Sequence, residues 1–277
     1  MDSAPSWPAL FPDRDFRFNF GARPGNAAAF FAPTAEHPQL VRERAHWLQT
    51  SPAHCLLCRD EAAPLIAEAM DCAEAWGDLS PDNRSVLRAA TAPAQQCHAL
   101  GRVWEPDWLL LNPDEAGRWV LLAAAVCFPS TWRPEEKLGL PLSQIHAPVP
   151  TLNESLGAQI DKFIGAILPG ASWERSNWGL SRSPELCQHP ARNLPRLTAP
   201  LRAEQVWVRI ENQVLHRLPQ TGGLLFGIRL ENVPLSAVKA HATAAPGLQR
   251  ALRTMPDEVA RYKGLHAARE ELIALLA

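Results

Sequence analysis

The sequence predicts an α+β fold, a five-stranded antiparallel sheet covered by helices. Three observations carry that prediction. Apolar residues recur at helical spacing before residue 100 and after residue 235. Between these stretches, from Trp104 to Phe128 and from Trp173 to Glu231, strand-like runs dominate. Turn-forming clusters such as Asn112-Pro113-Asp114-Glu115-Ala116-Gly117 and Pro219-Gln220-Thr221-Gly222-Gly223 separate them. The 277 residues are enough for one substantial core with extensions. We divide them into an N-terminal arm and helical extension over 1–100, a sheet-bearing core over 101–235, and C-terminal helices over 236–277.

The first 35 residues are rich in Pro, Phe and Ala without a sustained period, and read as an irregular arm packed on the body. From Pro38 to Trp76, stripes of Leu40, Trp47 and Leu48, then Leu65, Ile66, Ala69 and Ala73, predict two or three helices. A further helix is expected over Asp82 to Gln96, stopped by Pro93. Asp107 to Leu111 and Arg118 to Phe128 flank a turn and form a hairpin. Residues 152–168 then place Leu152, Leu156, Ile160, Phe163, Ile164 and Ile167 on one helical face. Beyond Pro169-Gly170, Trp173, Arg175 and Asn177 share one side of a strand. In the next strand Trp207, Arg209, Glu211 and Gln213 oppose Val206, Val208 and Ile210. The return strand has one wholly apolar side, Leu224, Phe226, Ile228 and Leu230.

Composition excludes several function classes. A formal net charge of -2 offers no basic field for nucleic acid and no polybasic segment for anionic lipid. The longest apolar run, Trp119 to Phe128, is far short of a bilayer span, and the first thirty residues lack the pattern of a secretion signal. Six unevenly spaced cysteines do not form a disulfide framework, so the expected setting is the cytoplasm. Cys55-Leu56-Leu57-Cys58, beside His54, has no second CxxC to complete a zinc site and reads as buried helix cysteines. The 26 prolines break the chain into short elements. The 10 tryptophans suit either a wide flat cavity or an ordinary core.

His146 is the candidate ligand. It lies in Ile145-His146-Ala147-Pro148-Val149-Pro150, where each proline disfavours helical geometry at the residue before it. The spacing predicts an extended elbow, then a helix starting after Pro150 with Thr151-Leu152-Asn153-Glu154 as a capping box. A histidine aimed by a rigid elbow suits a metal or haem iron. It equally suits a structural role, its ring satisfied by one backbone hydrogen bond.

The order of hairpin, short helices, longer helix and three strands matches a PAS domain, in which a ligand sits between sheet and long helix. Several clusters are more specific: Trp132-Arg133-Pro134-Glu135-Glu136-Lys137-Leu138-Gly139, Ile145 to Pro150, Arg175-Ser176-Asn177-Trp178, Arg209 to Pro219, and Tyr262-Lys263-Gly264. Together they resemble the haem-dependent oxidative N-demethylase family, whose haem subunit is PAS-like. That resemblance implies a haem b protein that binds O2 and oxidises a small secondary amine such as dimethylamine, releasing an aldehyde. Electrons would come from an NADPH-linked flavin and iron–sulfur reductase on a separate chain. This sequence carries no glycine-rich dinucleotide fingerprint and no iron–sulfur cysteine set of its own.

On the same resemblance His146 is the iron ligand, with His216 second in line, and Arg175 and Asn177 contact the cofactor from the sheet. Arg209 and Glu211 are the catalytic candidates: an arginine polarises O2 and a carboxylate holds an alkylammonium, unless the two form an ion pair or bind haem propionates. Gly227 admits either a flat ligand or a β-bulge. Asp161 faces the pocket edge or solvent. Three positions depart from the family pattern: Asn212 stands where a second arginine is usual, Leu152 where an aromatic is, and the only tyrosine is Tyr262. The alternative function is a haem PAS sensor of gas or redox state without catalytic activity.

Overall fold

The computed structural model describes residues 7–76 and 79–277. A single seven-stranded antiparallel sheet organises it: β1 Arg23–Pro24, β2 Leu56–Cys58, β3 Asp107–Pro113, β4 Trp119–Ala125, β5 Ser172–Ser181, β6 Trp207–Arg217 and β7 Leu224–Pro234. The spatial order is β1-β5-β6-β7-β3-β4-β2. The expected five strands are therefore present, and two short edge strands are added. β1 and β2 contain two and three residues, too short to show an alternating period, and only pairing with β5 and β4 defines them.

Local chemistry sets both hairpins. At the β3–β4 turn Asp114 Oδ1 accepts from the amides of Ala116 (3.0 Å) and Arg118 (2.9 Å). The β6–β7 turn is held from outside by Glu68, on the helix Ala63–Ala75. Its carboxylate accepts from the amides of Gln220 (2.6 Å) and Thr221 (2.8 Å) and from the Thr221 hydroxyl (2.5 Å).

The register assigns the two sides of the sheet. Arg175 is opposite Gln213, Asn177 opposite Glu211 and Gly179 opposite Arg209, while Gln213, Glu211 and Arg209 face Ile228, Leu230 and Asn232 of β7. Directly opposed residues share a side, so these polar groups and the apolar stripe of β7 lie together. Ile160, Ile164 and Ile167 cover the apolar part of this side, packing with Leu215, Leu224, Leu109 and Leu111. Each such side chain contributes about 1.5–3 kcal/mol on burial. The reverse side is covered at one end by N-terminal helices around Trp108, Leu110, Val214 and Leu225. At the other end, the C-terminal helices pack on Val208 and Ile210.

Several local expectations are corrected. Pro93 does not end one helix over 82–96; it opens the second of two, Pro81–Ala89 and Pro93–Val103, because a proline at the first helical turn loses no hydrogen bond. Residues 152–168 pack the expected stripe, except Leu152, into the core but are not one α-helix. A π-helical turn, Asn153–Gly157, precedes the α-helix Ala158–Ala166. Gly227 marks neither a bulge nor a ligand. A Cβ there would lie 2.7 Å from Phe31 and 2.9 Å from Val214, so the glycine makes room for the helix Ala27–Phe31 on the reverse side. No helix among the described residues is long and apolar enough to cross a membrane.

Candidate functional site

His146 does not sit on an extended elbow. It is the last residue of a short helix, Leu142–His146, and Ala147 stays helical at φ -53, ψ -35 despite the proline that follows. The preference imposed by Pro148 is a bias on the preceding residue, overridden here by turn hydrogen bonds such as Val149 N–H to the His146 carbonyl (2.9 Å). Nor does the capping box form. Thr151 adopts φ +59, and its carbonyl accepts both the amide (2.9 Å) and the hydroxyl (2.6 Å) of Ser155. The short helix packs against β4, with Ile145 in the helix-side core. His146 thereby approaches the polar side of the sheet. Its ring makes no hydrogen bond to any described residue. Burial pushes the imidazole below its ordinary value, Arg175 adds to the push, and Asp161 opposes it. The neutral imidazole is thus favoured.

Glu211 is the hub of the polar side of the sheet. Its Oε1 accepts from the Ser130 hydroxyl (2.7 Å), and its Oε2 accepts from Gln213 Nε2 (3.2 Å) and Asn177 Nδ2 (3.4 Å). Arg209 is buried and fully engaged. Nε donates to Ser130 Oγ (2.6 Å), Nη1 to the Glu185 carbonyl (3.3 Å), and Nη2 to the carbonyls of Phe128 and Leu186 (both 2.7 Å). Arg209 and Glu211 therefore do not pair directly; Ser130 bridges them. The next residue, Thr131, is held at φ +58, a costly conformation for a β-branched residue that aims the Ser130 loop.

Arg175 contrasts with Arg209. Its guanidinium lies over the Phe20 ring at 5.2 Å, and its Nε is buried without a partner. Phe20, from the N-terminal arm, contacts Phe163 of the covering helix at 4.5 Å, and Phe163 contacts Trp173 of β5 at 5.2 Å. The arm thus closes the gap between helix and sheet edge. A cavity of about 1900 Å³ runs beside it, lined by Arg175, Asn177, Gln213 and Lys263 among others. His146, Arg209 and Glu211 lie outside that lining.

The structure accordingly brings His146 into the electrostatic reach of Arg175, and joins Asn177, Glu211 and, through Ser130, Arg209 in one network. His216 lies apart on the reverse side, its Nδ1 2.9 Å from the Ser172 hydroxyl. Sequence reading missed Ser130, Gln213 and Phe20; the alternation that placed Glu211 also places Gln213, whereas no local pattern marks the other two. Tyr262 and Lys263 also belong here. Burial raises the Tyr262 phenol, and the charge of Glu211 raises it further. Gly264, at φ +69, ends the helix Asp257–Tyr262 in a Schellman turn, with the Leu265 amide donating to the Ala260 carbonyl (2.8 Å), and so sets Lys263 beside β5.

A second histidine group lies elsewhere. His54 Nδ1 is 2.9 Å from Glu135, and His189 Nε2 is 3.2 Å from both oxygens of the same carboxylate, a spacing that would also suit a metal ion. The Ala191 amide donates to His189 Nδ1 (3.2 Å), so Nε2 carries the proton and donates to Glu135. The group is a hydrogen-bonded tie between the short helix Pro52–Cys55, the 3-10 turn Pro134–Glu136 and the start of the 3-10 turn Pro190–Arg192. All six cysteines are free; Cys55 ends a short helix, but Cys58 lies in β2 rather than in a helix.

Fold and site together define an α+β protein in which one carboxylate and several cations share a side of the sheet, with an unpartnered imidazole, favoured in its neutral form, in electrostatic reach of Arg175. The chain belongs to the haem-dependent oxidative N-demethylase, alpha subunit-like family; the family model matches residues 78–273. The family is one of oxidoreductases, haem is the cofactor its name implies, and the alpha-subunit description implies other subunits. Every candidate residue above except Phe20, His54, Cys55 and Cys58 falls within the matched stretch.

Proposed function

We propose that this chain is a haem-b-binding, O2-using subunit that oxidatively demethylates a small amine, with electrons supplied by a separate reductase of the NADPH-linked flavin and iron–sulfur kind. The observation that carries this reading is His146, a half-buried imidazole with no hydrogen-bond partner and a preference for the neutral form, in a chain of this family. An iron ligand needs such a free nitrogen lone pair. The unpartnered Nε of Arg175 within electrostatic reach is a further unspent group, so the residues present fit the cofactor. The sheet order supports a PAS-like core: the first hairpin strand, β3, lies beside the last strand, β7, and the helix after the hairpin covers the polar and apolar side.

When bound, the haem supplies the redox chemistry with O2. His146 would hold the iron, and Arg175 and Asn177 would contact the cofactor. Arg209 acts as a positioning residue: four hydrogen bonds fix its guanidinium, and one of them orients Ser130 toward Glu211. Three donors occupy Glu211, leaving roughly one of about four carboxylate lone-pair sites for an N–H of an alkylammonium substrate. Free thiols throughout support a reducing compartment, the cytoplasm.

Protein purified from haem-replete cells is expected to show a Soret band, and His146→Ala to lose it. With reductant, O2 and a panel of small secondary and tertiary amines, aldehyde should form. Unchanged haem content in His146→Ala removes that residue as ligand. A Soret band without aldehyde from any amine would favour the sensor reading.

A further inference from the structure

Two cations beside the sheet edge have more hydrogen-bonding capacity than the protein uses. The Arg175 side chain makes no hydrogen bond or ion pair to any described residue, although an arginine carries five N–H donors, and its Nε is shut off from solvent. Lys263 spends one of its three donors on the Trp178 carbonyl (2.9 Å) and lies 5.2 Å from the centre of the Trp178 ring. Both line the same cavity of about 1900 Å³. The carboxylate that acts electrostatically on both is Glu211. Ser130, Asn177 and Gln213 already occupy three of its roughly four acceptor sites, and the same charge also serves Arg209.

Three cations thus draw on one carboxylate. Half-buried positive charge without its own counter-ion is unfavourable, and burial pushes both Arg175 and Lys263 toward the neutral form. A bound anion removes the penalty. The fork of an arginine matches the two coplanar oxygens of a carboxylate, and a lysine ammonium adds a further donor.

We propose that Arg175 and Lys263 form a carboxylate-binding site in the cavity at the edge of β5, with the guanidinium as fork and the ammonium as second donor. Two carboxylates have that chemistry. One is a propionate of the haem, which rests on the functional reading above; the other is an acid group on the small substrate, which does not need it. Lys263 stands here because Gly264 terminates its helix in a left-handed turn, which gives the Tyr262-Lys263-Gly264 cluster a purpose.

The test compares each acid with its uncharged counterpart on the same protein. Ferric protoporphyrin IX and its dimethyl ester are titrated at the Soret band. N,N-dimethylglycine and N,N-dimethylglycinamide are titrated by calorimetry into the protein as purified. Wild type should prefer the acid in at least one arm by about tenfold or more, the scale of a charged hydrogen bond. Lys263→Gln and Arg175→Gln should bring that ratio toward one, while Lys263→Arg keeps it. A preference in the porphyrin arm assigns a propionate, and one in the dimethylglycine arm assigns a substrate carboxylate. A ratio near one in both arms of the wild type overturns the proposal, as does a ratio that survives in both glutamine variants. Partial unfolding lowers acid and counterpart alike and leaves the ratio readable. If neither porphyrin binds, the haem reading fails and the dimethylglycine arm alone decides.

Discussion

Ser130 is a small side chain on which two larger ones depend. It accepts from Arg209 Nε at 2.6 Å and donates to Glu211 at 2.7 Å, both in a water-poor setting. Removing the hydroxyl leaves a buried N–H and a carboxylate oxygen each short of a partner. Ser130→Ala should therefore destabilise the fold by about 1–3 kcal/mol, measured by urea unfolding. On the proposed function it should also weaken amine binding, because Glu211 loses its fixed orientation. A variant with unchanged stability and unchanged KM would separate Arg209 from the site altogether. The chemistry of Arg209 suits a substrate contact, and in the structure each of its nitrogens hydrogen-bonds to the protein.

At the scale of elements, the ends of helices place the site more than their lengths do. His146 and Lys263 both occupy helix C-termini, one at the end of Leu142–His146 and the other just past Asp257–Tyr262. For Lys263 the placement depends on Gly264, where φ is +69 and an added Cβ would meet nothing, so a substitution is strained only through the backbone. Gly264→Ala is expected to cost about 1–2 kcal/mol in thermal or chemical unfolding. Because it unseats Lys263, it should also reproduce part of the Lys263→Gln phenotype. An alanine variant as stable as wild type would show that the turn is not under conformational control.

At the scale of the whole molecule, buried polar ties join segments far apart in the chain. Arg44, on the helix His37–Thr50, meets Asp107 at the start of β3 at 2.5 Å, both fully buried. Asp107 also accepts from the amides of Cys127 (2.7 Å) and Phe128 (3.0 Å), directly before the Ser130 loop. Breaking one side of such a pair leaves an uncompensated charge, so Asp107→Ala should cost about 3–5 kcal/mol. Glu105 likewise ties the arm to β7, accepting from the Thr34 amide (2.6 Å), His37 Nδ1 (2.9 Å) and Arg229 (2.5 Å).

The His54–Glu135–His189 tie makes this assembly sensitive to acid. Burial raises the Glu135 carboxyl, but its own amide and the two imidazoles outweigh that and hold it below the usual range. Burial lowers His189, with Glu135 opposing. Both groups have depressed values in the folded state, so the unfolded chain binds protons first as pH falls, below about 6.5 for the histidine and about 4.5 for the carboxylate. Stability should accordingly fall from pH 7 to pH 4, and His189→Gln should flatten the upper part of that slope in melting curves taken across the range. A slope identical to wild type would assign the acid sensitivity elsewhere.

The sequence by itself determined the hairpin, the three long strands, their sidedness and the apolar stripe that covers them, because alternation and helical spacing are local consequences of burying one face. It also determined that Arg175 and Asn177 share a side of one strand and Arg209 and Glu211 a side of the next, since that follows from period two, whereas the register that brings both pairs to the same side belongs to the folded sheet. Only the tertiary structure decided what those residues touch: the Ser130 bridge, the Phe20 cover from the distant arm, the approach of His146 from a helix end, and the unspent donors of Arg175 and Lys263. The two short edge strands and the glycine under Phe31 were decided there as well. Such features arise from contacts between segments up to hundreds of residues apart, and a few paired residues leave no period in the chain that carries them.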